Sequence, residues 1–271
     1  HLTDVILHHA PAAAAGDGAE PVHQLRVAVR RLRSVVGLFR RAVGCPALAE
    51  AEAGLKALAA MLGPARDWDV FLAGAGAQVA AAFEDDRAVA RLLAAATVRR
   101  AAAYAELRDH LQGPAFRELG VALACLAASR PWEAEAPPSS ASVSDYAARA
   151  LRRRARRLKA AGDDLAALPT AALHELRLHA KRLRYACEVF APLFPGRRAA
   201  RMIRRLTAVQ EALGHLNDGS VAQALMAGLG PSGRGRAGGL VRGYVAGRAA
   251  VGLEAAQRDW GRLRAVAAFW R

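Results

Sequence analysis

The chain has 271 residues, 54% of them hydrophobic, and a formal net charge of +15 at pH 7. Its length and apolar content exclude a wholly disordered protein and allow one large domain or two of modest size. The excess of positive charge indicates a polyanionic partner, namely nucleic acid, an anionic membrane or polyphosphate. Charge alone does not choose among these partners, and a codon bias toward arginine would also account for part of it.

The expected helices follow from helical periodicity interrupted by glycine and proline. In chain order they span about 2–9, 21–43, 47–62, 67 onward, 86–111, 115–129, 145–161, 170–190, 198–213, 218–229 and about 240 to the end. No alternating β-branched run or hairpin signal is present. We therefore expect an all-α fold of two helical bundles, related by an internal duplication with pseudo-twofold symmetry.

The domain prediction follows from one segment rich in proline and serine. It assigns residues 1–130 to a first helical repeat, 131–143 to a linker and 144–271 to a second repeat, which together form one domain.

The cysteines and the apolar runs bear on the cellular compartment. Cys45, Cys125 and Cys187 form no CxxC pair, which predicts a reducing compartment without a disulfide framework or a zinc site. The longest uncharged runs are too short for a transmembrane helix, and no signal peptide is visible. We expect a cytoplasmic protein with no membrane partner. Because the chain opens at His1 without methionine, we also expect an upstream segment or a longer parent protein.

One basic helix is written twice in the sequence. The stretch HQLRVAVRRLR begins at His23, and HELRLHAKRLR begins at His174, 151 residues later. At about 100° per residue, four cationic or imidazole side chains of each copy fall within a sector of roughly 80°, opposite an apolar face. We name these two sets the ladder faces: His23, Arg26, Arg30 and Arg33 in the first copy, and His174, Arg177, Lys181 and Arg184 in the second.

Two interpretations of the ladder faces compete. An amphipathic helix with its basic face in water is the simpler one. However, Arg26 and Arg30 repel each other at i,i+4, and no carboxylate stands four residues from the basic positions of the first copy. Both copies also keep a histidine near the helix start. We favour an anion-binding face.

A second duplicated element lies at the same offset. LGPARDWDV begins at Leu62 and LGHLNDGSV at Leu213. Glycine suits a helix end and aspartate the N-cap of the next helix, so we expect a helix break in both elements. Asp67 and Asp218 are interpreted as caps or as orienting partners for basic residues rather than as catalytic acids.

The paired HxxRVxxRRLR and HxxRxxxKRLRY helices, with LGxxRDxDV and LGxLND, resemble the CHAD domain, the conserved-histidine α-helical domain. The resemblance covers the chain from about Val22 to its end. It implies a twofold helical domain whose central basic channel binds inorganic polyphosphate, with both ladder faces lining the channel. Arg31 and Arg182 match the motif at the edge of the face, and Lys56, Arg204 and Arg205 are weaker candidates for the rim.

The resemblance also carries expectations about partners. Such domains are often fused behind a CYTH domain and are associated with polyphosphate granules, so we expect an upstream CYTH domain and granule localisation. We expect no enzymatic activity, catalytic residue, cofactor or metal. Binding should weaken steeply with salt, and should strengthen from about pH 7.5 to 6 if His23 and His174 become protonated near phosphate.

Three alternatives remain open from the residues. A metal-dependent phosphohydrolase would need His23, His174, Asp67 and Asp218 to meet in space. RNA or other nucleic acid is not expected, because aromatics are not interleaved with the basic row and only Tyr185 lies at its edge. A membrane-surface role would use the basic helix near 145–161, where few bulky apolar residues face outward.

Overall fold

The computed structural model describes residues 1–135 and 142–270. Every regular element in these ranges is helical, with no strand, which confirms the all-α prediction. The helices are α1 (Leu2–Ala15), α2 (Glu20–Val43), α3 (Pro46–Phe71), α4 (Ala77–Ala82), α5 (Arg87–Gln112), α6 (Pro114–Ser129), α7 (Trp132–Glu135), α8 (Val143–Ala161), α9 (Thr170–Phe190), α10 (Arg198–Gly228), α11 (Pro231–Arg234) and α12 (Arg236–Arg264). A π-helical turn, Leu72–Gly76, joins α3 to α4.

The chain folds into two units. Unit 1 comprises His1–Pro138 and Leu225–Val241, and unit 2 comprises Ser139–Ala224 and Arg242–Arg271. Residues 136–141 of the predicted linker lie outside the described residues, whereas its preceding part contains α7 and its last residue begins α8. The division into two repeats with a linker at 131–143 stays a prediction.

The ladder helices begin and end as their sequences predict. Pro21 lies in the first turn of α2, where a missing N–H costs nothing. Leu25, Val29 and Val36 of α2 are buried, as expected for its apolar face. In α9 the expected apolar set is also buried and consists of Leu176, Ala180, Leu183 and Cys187. Burial of one face orients the opposite, cationic face of each helix.

The predicted helix breaks in the second duplicated element are wrong. Pro64 lies inside the continuous helix α3, and the segment around Asp218 lies inside α10. Leu62 and Ala65, on either side of Pro64, are fully buried. This burial offsets the roughly 3 kcal/mol that an internal proline costs. Asp67 and Asp218 are therefore not N-caps.

A glycine serves close packing at the end of α8. A Cβ added at Gly162 would overlap the indole ring of Trp260. The absence of a side chain at this position therefore lets the ring pack directly against the backbone.

A buried polar network joins α3 to α5 in unit 1. The Asp69 side chain is only 2% exposed. Its carboxylate accepts hydrogen bonds from Arg100 Nε at 2.7 Å and from Tyr104 Oη at 2.8 Å. The Arg100 guanidinium also lies over the Tyr104 ring, 4.3 Å from its centroid. Burial, followed by the bond to Asp69, raises the pKa of Tyr104 to about 12. The network fixes the part of α3 that faces α2.

Candidate functional site

The first ladder face lies along one side of α2, and its four side chains are all partly buried. These residues are His23, Arg26, Arg30 and Arg33. Neighbouring Arg31, which was expected at the edge of the face, lies roughly 120° from its centre and is exposed. Cationic side chains that are partly withdrawn from water lose less hydration when they bind an anion than exposed ones do.

His23 lies in a positive environment. Its pKa is lowered, first by burial and then by Arg66 of α3, with smaller contributions from Arg30 and Arg26. Glu20 acts in the opposite direction. The imidazole is therefore held neutral to lower pH than an ordinary histidine, because a further positive charge at this place is unfavourable. A bound anion would reverse that effect.

Asp67 of α3 faces the first ladder face. Its Oδ1 lies 3.7 Å from Arg26 Nη1, and both side chains are more than one-third exposed. An ion pair with this exposure contributes little to stability. Asp67 thus has the role of an orienting partner for a basic residue, which was one of the two interpretations of this aspartate.

The second ladder face lies along α9, and His174 at its start is exposed. His174 Nδ1 lies 2.7 Å from Asn217 Oδ1 of α10. Arg177 lies beside Gly214 of α10, since a Cβ added to this glycine would be 3.9 Å from Arg177 Nη2. Part of the duplicated LGHLND segment therefore lines the second ladder face.

The last arginines of the two ladder faces, Arg33 and Arg184, differ in their partners. Arg184 Nε donates to Gln210 Oε1 at 3.1 Å, and Arg184 Nη1 donates to Glu188 Oε1 at 2.5 Å. Its guanidinium also lies 4.7 Å from the centroid of the buried Tyr185 ring. Unit 2 thus supplies an acceptor and a counter-ion for its own ladder arginine.

For Arg33, the described residues supply no such partners. Its Nε is buried and makes no hydrogen bond to a described side chain or backbone atom. The positions 151 residues before Glu188 and Gln210 are Gly37 and Ala59, neither of which has a side-chain acceptor. A buried donor without an acceptor is costly. An incoming oxyanion would remove that cost at Arg33.

Other predicted residues are less closely tied to the faces. Lys56, Arg182 and Arg204 are exposed, and Arg205 is partly buried. Among the described residues, no group of three or more His, Cys, Asp or Glu side chains is arranged to hold a metal ion. In the same part of the chain, no helix has both the length and the apolar composition that crossing a bilayer requires.

Sequence reasoning missed the partners that come from neighbouring helices. Arg66 and Asn217 both face the ladder histidine of their unit. Each follows its histidine by 43 positions, His23 and His174 respectively. This equal spacing was the available signal. Gln210 offered none, because its own duplicate position holds alanine.

The fold and these contacts define an all-α protein with one cationic helix face in each unit. The chain matches the CHAD domain family over residues 1–227, and it belongs to that family.

Solved structures give the same result for the fold. The chain is similar to the CHAD domain from the plant Ricinus communis, with 28% identity, a TM-score of 0.81, and coverage of 98% of this chain and 89% of that one. It is also similar to PptA from Streptomyces chartreusis, with 18% identity, a TM-score of 0.70, and coverage of 96% and 98%. At that identity the second likeness concerns the fold alone. No curated protein sequence matches the chain.

Proposed function

We propose that this chain is a binding module for inorganic polyphosphate, which it holds through the ladder faces of α2 and α9. The observation that carries the proposal is the Arg33 guanidinium, a partly buried cation whose Nε has no acceptor among the described residues. It lies on the same helix face as two further arginines and a histidine. A row of cations along one helix face suits a linear polyanion.

The residue types on the faces fit phosphate chemistry. Arginine presents a planar fork that can bind two phosphate oxygens, and lysine supplies a compact charge. A histidine such as His23, whose pKa is lowered by nearby cations, gains a proton when an anion offsets their charge. Each ladder face spans eleven residues of helix, or about 15 Å, which is enough for several successive phosphates.

The binding role is favoured over the alternative functions by particular contacts. Tyr185, the aromatic residue nearest the basic row, is buried and packed under Arg184, so it offers no free ring for base stacking. His174 is engaged with Asn217 rather than with a carboxylate that would help it ligate a metal. We therefore propose a non-enzymatic binding module. From its membership of the CHAD family we further propose that it is located at polyphosphate granules and joined to an upstream CYTH domain.

Calorimetric titration with long-chain polyphosphate tests the proposal. An Arg30→Ala/Lys181→Ala variant should bind about 100-fold more weakly, because each charge-assisted contact contributes about 1.5 kcal/mol. The matched control, Arg41→Ala/Arg201→Ala, removes two exposed cations from the same two units. It should lose no more than about threefold through the change in net charge.

The outcomes separate the candidate functions. Equal losses in the two variants would reduce the ladder faces to solvated helix surfaces. Displacement of polyphosphate by equimolar single-stranded RNA would favour a nucleic-acid-binding protein instead. One polyphosphate bound per chain, with each single variant weakening that same event, would support the predicted single channel; two independent events would contradict it.

A further inference from the structure

Helix α8 has an unusual concentration of positive charge. Its 19 residues include seven cations, Arg149, Arg152, Arg153, Arg154, Arg156, Arg157 and Lys159, and one acidic residue, Asp145. Helix α1 precedes the first ladder helix as α8 precedes the second, yet α1 contains no arginine or lysine. The charge of α8 is therefore not part of the duplicated pattern.

Six of the seven cations share the outer side of α8. At about 100° per residue they occupy a sector of roughly 160°, opposite the buried Leu151 and Leu158. The six are Arg149, Arg152, Arg153, Arg156, Arg157 and Lys159. None of them forms an ion pair with a carboxylate among the described side chains. Like charges at i,i+3 and i,i+4 repel, so this arrangement weakens the helix when it is unliganded.

Helix α9 extends the same basic surface. On α9, Arg182 and His179 lie roughly 120° and 180° from the centre of the ladder face. Burial, then the charge of Arg182 and, to a smaller extent, that of Arg157 of α8, lower the pKa of His179. Burial, then the charges of Arg153 and Arg157 and, to a smaller extent, that of Arg182 of α9, lower the pKa of Arg154. Cations of α8 and α9 therefore act on one another across the packed helix pair, on a side of α9 away from its ladder face.

We infer that the outer side of α8, together with Arg182 of α9, is a second polyphosphate-binding surface, used by chains that extend beyond the ladder faces. We name this set of residues the α8 surface. The inference rests on the proposed function and adds a site to it. Short polyphosphates fill the ladder faces alone, whereas long chains also neutralise the α8 surface.

The side chains around the α8 surface favour a bare polyanion over two other partners. Tyr146, the aromatic residue of α8, is partly buried and packs edge-on against Phe190, with ring centroids 6.3 Å apart. It presents no face on which a base could stack. Val143, at the first turn, is the exposed large apolar residue of α8, whereas an interfacial helix needs a bulky apolar face.

The test compares tripolyphosphate with long-chain polyphosphate in calorimetric titrations of the whole chain. An Arg153→Gln/Arg157→Gln variant should bind tripolyphosphate with unchanged affinity and long-chain polyphosphate about tenfold more weakly. For long-chain polyphosphate, the slope of the logarithm of the binding constant against the logarithm of salt concentration should also become shallower by about one to two, because two phosphate contacts are lost. Glutamine preserves helix propensity, so the variant should fold.

The control variant, Arg258→Gln/Arg264→Gln, removes the same charge from exposed positions of α12 in unit 2. It should change the affinity for tripolyphosphate and the affinity for long-chain polyphosphate by no more than about twofold each. An equal loss in both variants, or no loss in the α8 variant, would overturn the inference while leaving the ladder site intact. Wild-type protein that binds neither polyphosphate would overturn the proposed function as well. A further outcome is that the α8 variant binds polyphosphate as the wild type does but loses binding to single-stranded RNA or to anionic phosphatidylserine vesicles. That result would overturn the inference and assign the α8 surface to the partner whose binding is lost.

Discussion

The two ladder helices carry nearly the same residues but differ in what surrounds them. In unit 2, His174 meets Asn217, and Arg184 is bound by Gln210 and Glu188. In unit 1, His23 faces the cation Arg66, and Arg33 Nε has no described acceptor. The α9 face is thus partly neutralised by its own unit, whereas Arg33, at the end of the α2 face, has no acceptor for its Nε in the described part of the chain. The motif is repeated along the chain, whereas the neighbouring helices supply different partners to it in the two units.

The largest expected effect concerns the support of the α2 face. Asp69→Ala removes the shared acceptor of the buried Tyr104 hydroxyl and of the Arg100 guanidinium, whose side chain is 31% exposed. We expect the free energy of unfolding to fall by about 3 kcal/mol in urea denaturation. Ser220, 151 residues later, is exposed, and its substitution by alanine should cost less than about 0.5 kcal/mol. Similar losses of unfolding free energy at the two positions would mean that the ladder helices of the two units are equally well supported.

The two ladder arginines Arg33 and Arg184 should differ in their contributions to binding and to stability. Arg33→Gln should weaken polyphosphate binding about tenfold, or about 1.4 kcal/mol, whereas Arg184→Gln should weaken it about threefold. Stability should respond in the opposite order, because Arg184→Gln leaves Glu188 and Gln210 without their shared donor. Calorimetry and urea denaturation of both variants supply the two measurements. A larger loss of binding in Arg184→Gln than in Arg33→Gln would contradict the proposal that Arg33 is the more available of the two arginines to a ligand.

The smallest expected effect is the dependence of polyphosphate binding on pH through His23. The pKa of His23 is lowered in the free protein, so the imidazole starts to protonate only below its ordinary value of about 6.5. A bound polyanion should raise that pKa, and binding should therefore strengthen as pH falls through the interval between the two values. For folding the sign is opposite: the contribution of neutral His23 is fully present above about pH 6.5 and is lost as pH falls toward its folded pKa.

Titrations at pH 7.5, 6.5 and 5.5 check this linkage. His23→Gln should abolish about a twofold gain in affinity between the two lower pH values. A variant with an unchanged profile would show that another group takes up the proton.

Local sequence patterns predicted the helices but not their continuity. The apolar spacing around Leu25 and Leu176 predicted both ladder helices, because burial of one face determines helix orientation. Gly63-Pro64 was interpreted as a break since local propensity favours one, yet tertiary burial of Leu62 and Ala65 keeps α3 continuous. Such burial depends on neighbouring helices and is invisible in a local pattern.

The candidate site shows the same limit. Duplication identified the ladder residues by number, and helical geometry placed each set on one face. No carboxylate lies four residues from the basic positions of α2, yet Asp67 of α3 lies 3.7 Å from Arg26, because packing of the two helices brings it there. Partners contributed by a neighbouring helix, such as Gln210 for Arg184, follow from packing and not from spacing along one helix.

The difference between the two ladder arginines is tested most directly by NMR of the arginine Nε–Hε signals during titration with polyphosphate, with assignments from Arg33→Gln and Arg184→Gln. The Arg33 signal should shift strongly and exchange more slowly with water, because its Nε gains a phosphate acceptor. The Arg184 signal should move little, since Gln210 already accepts from its Nε. An Arg33 signal that stays unchanged while polyphosphate is bound would mean that the α2 face does not hold the ligand through Arg33.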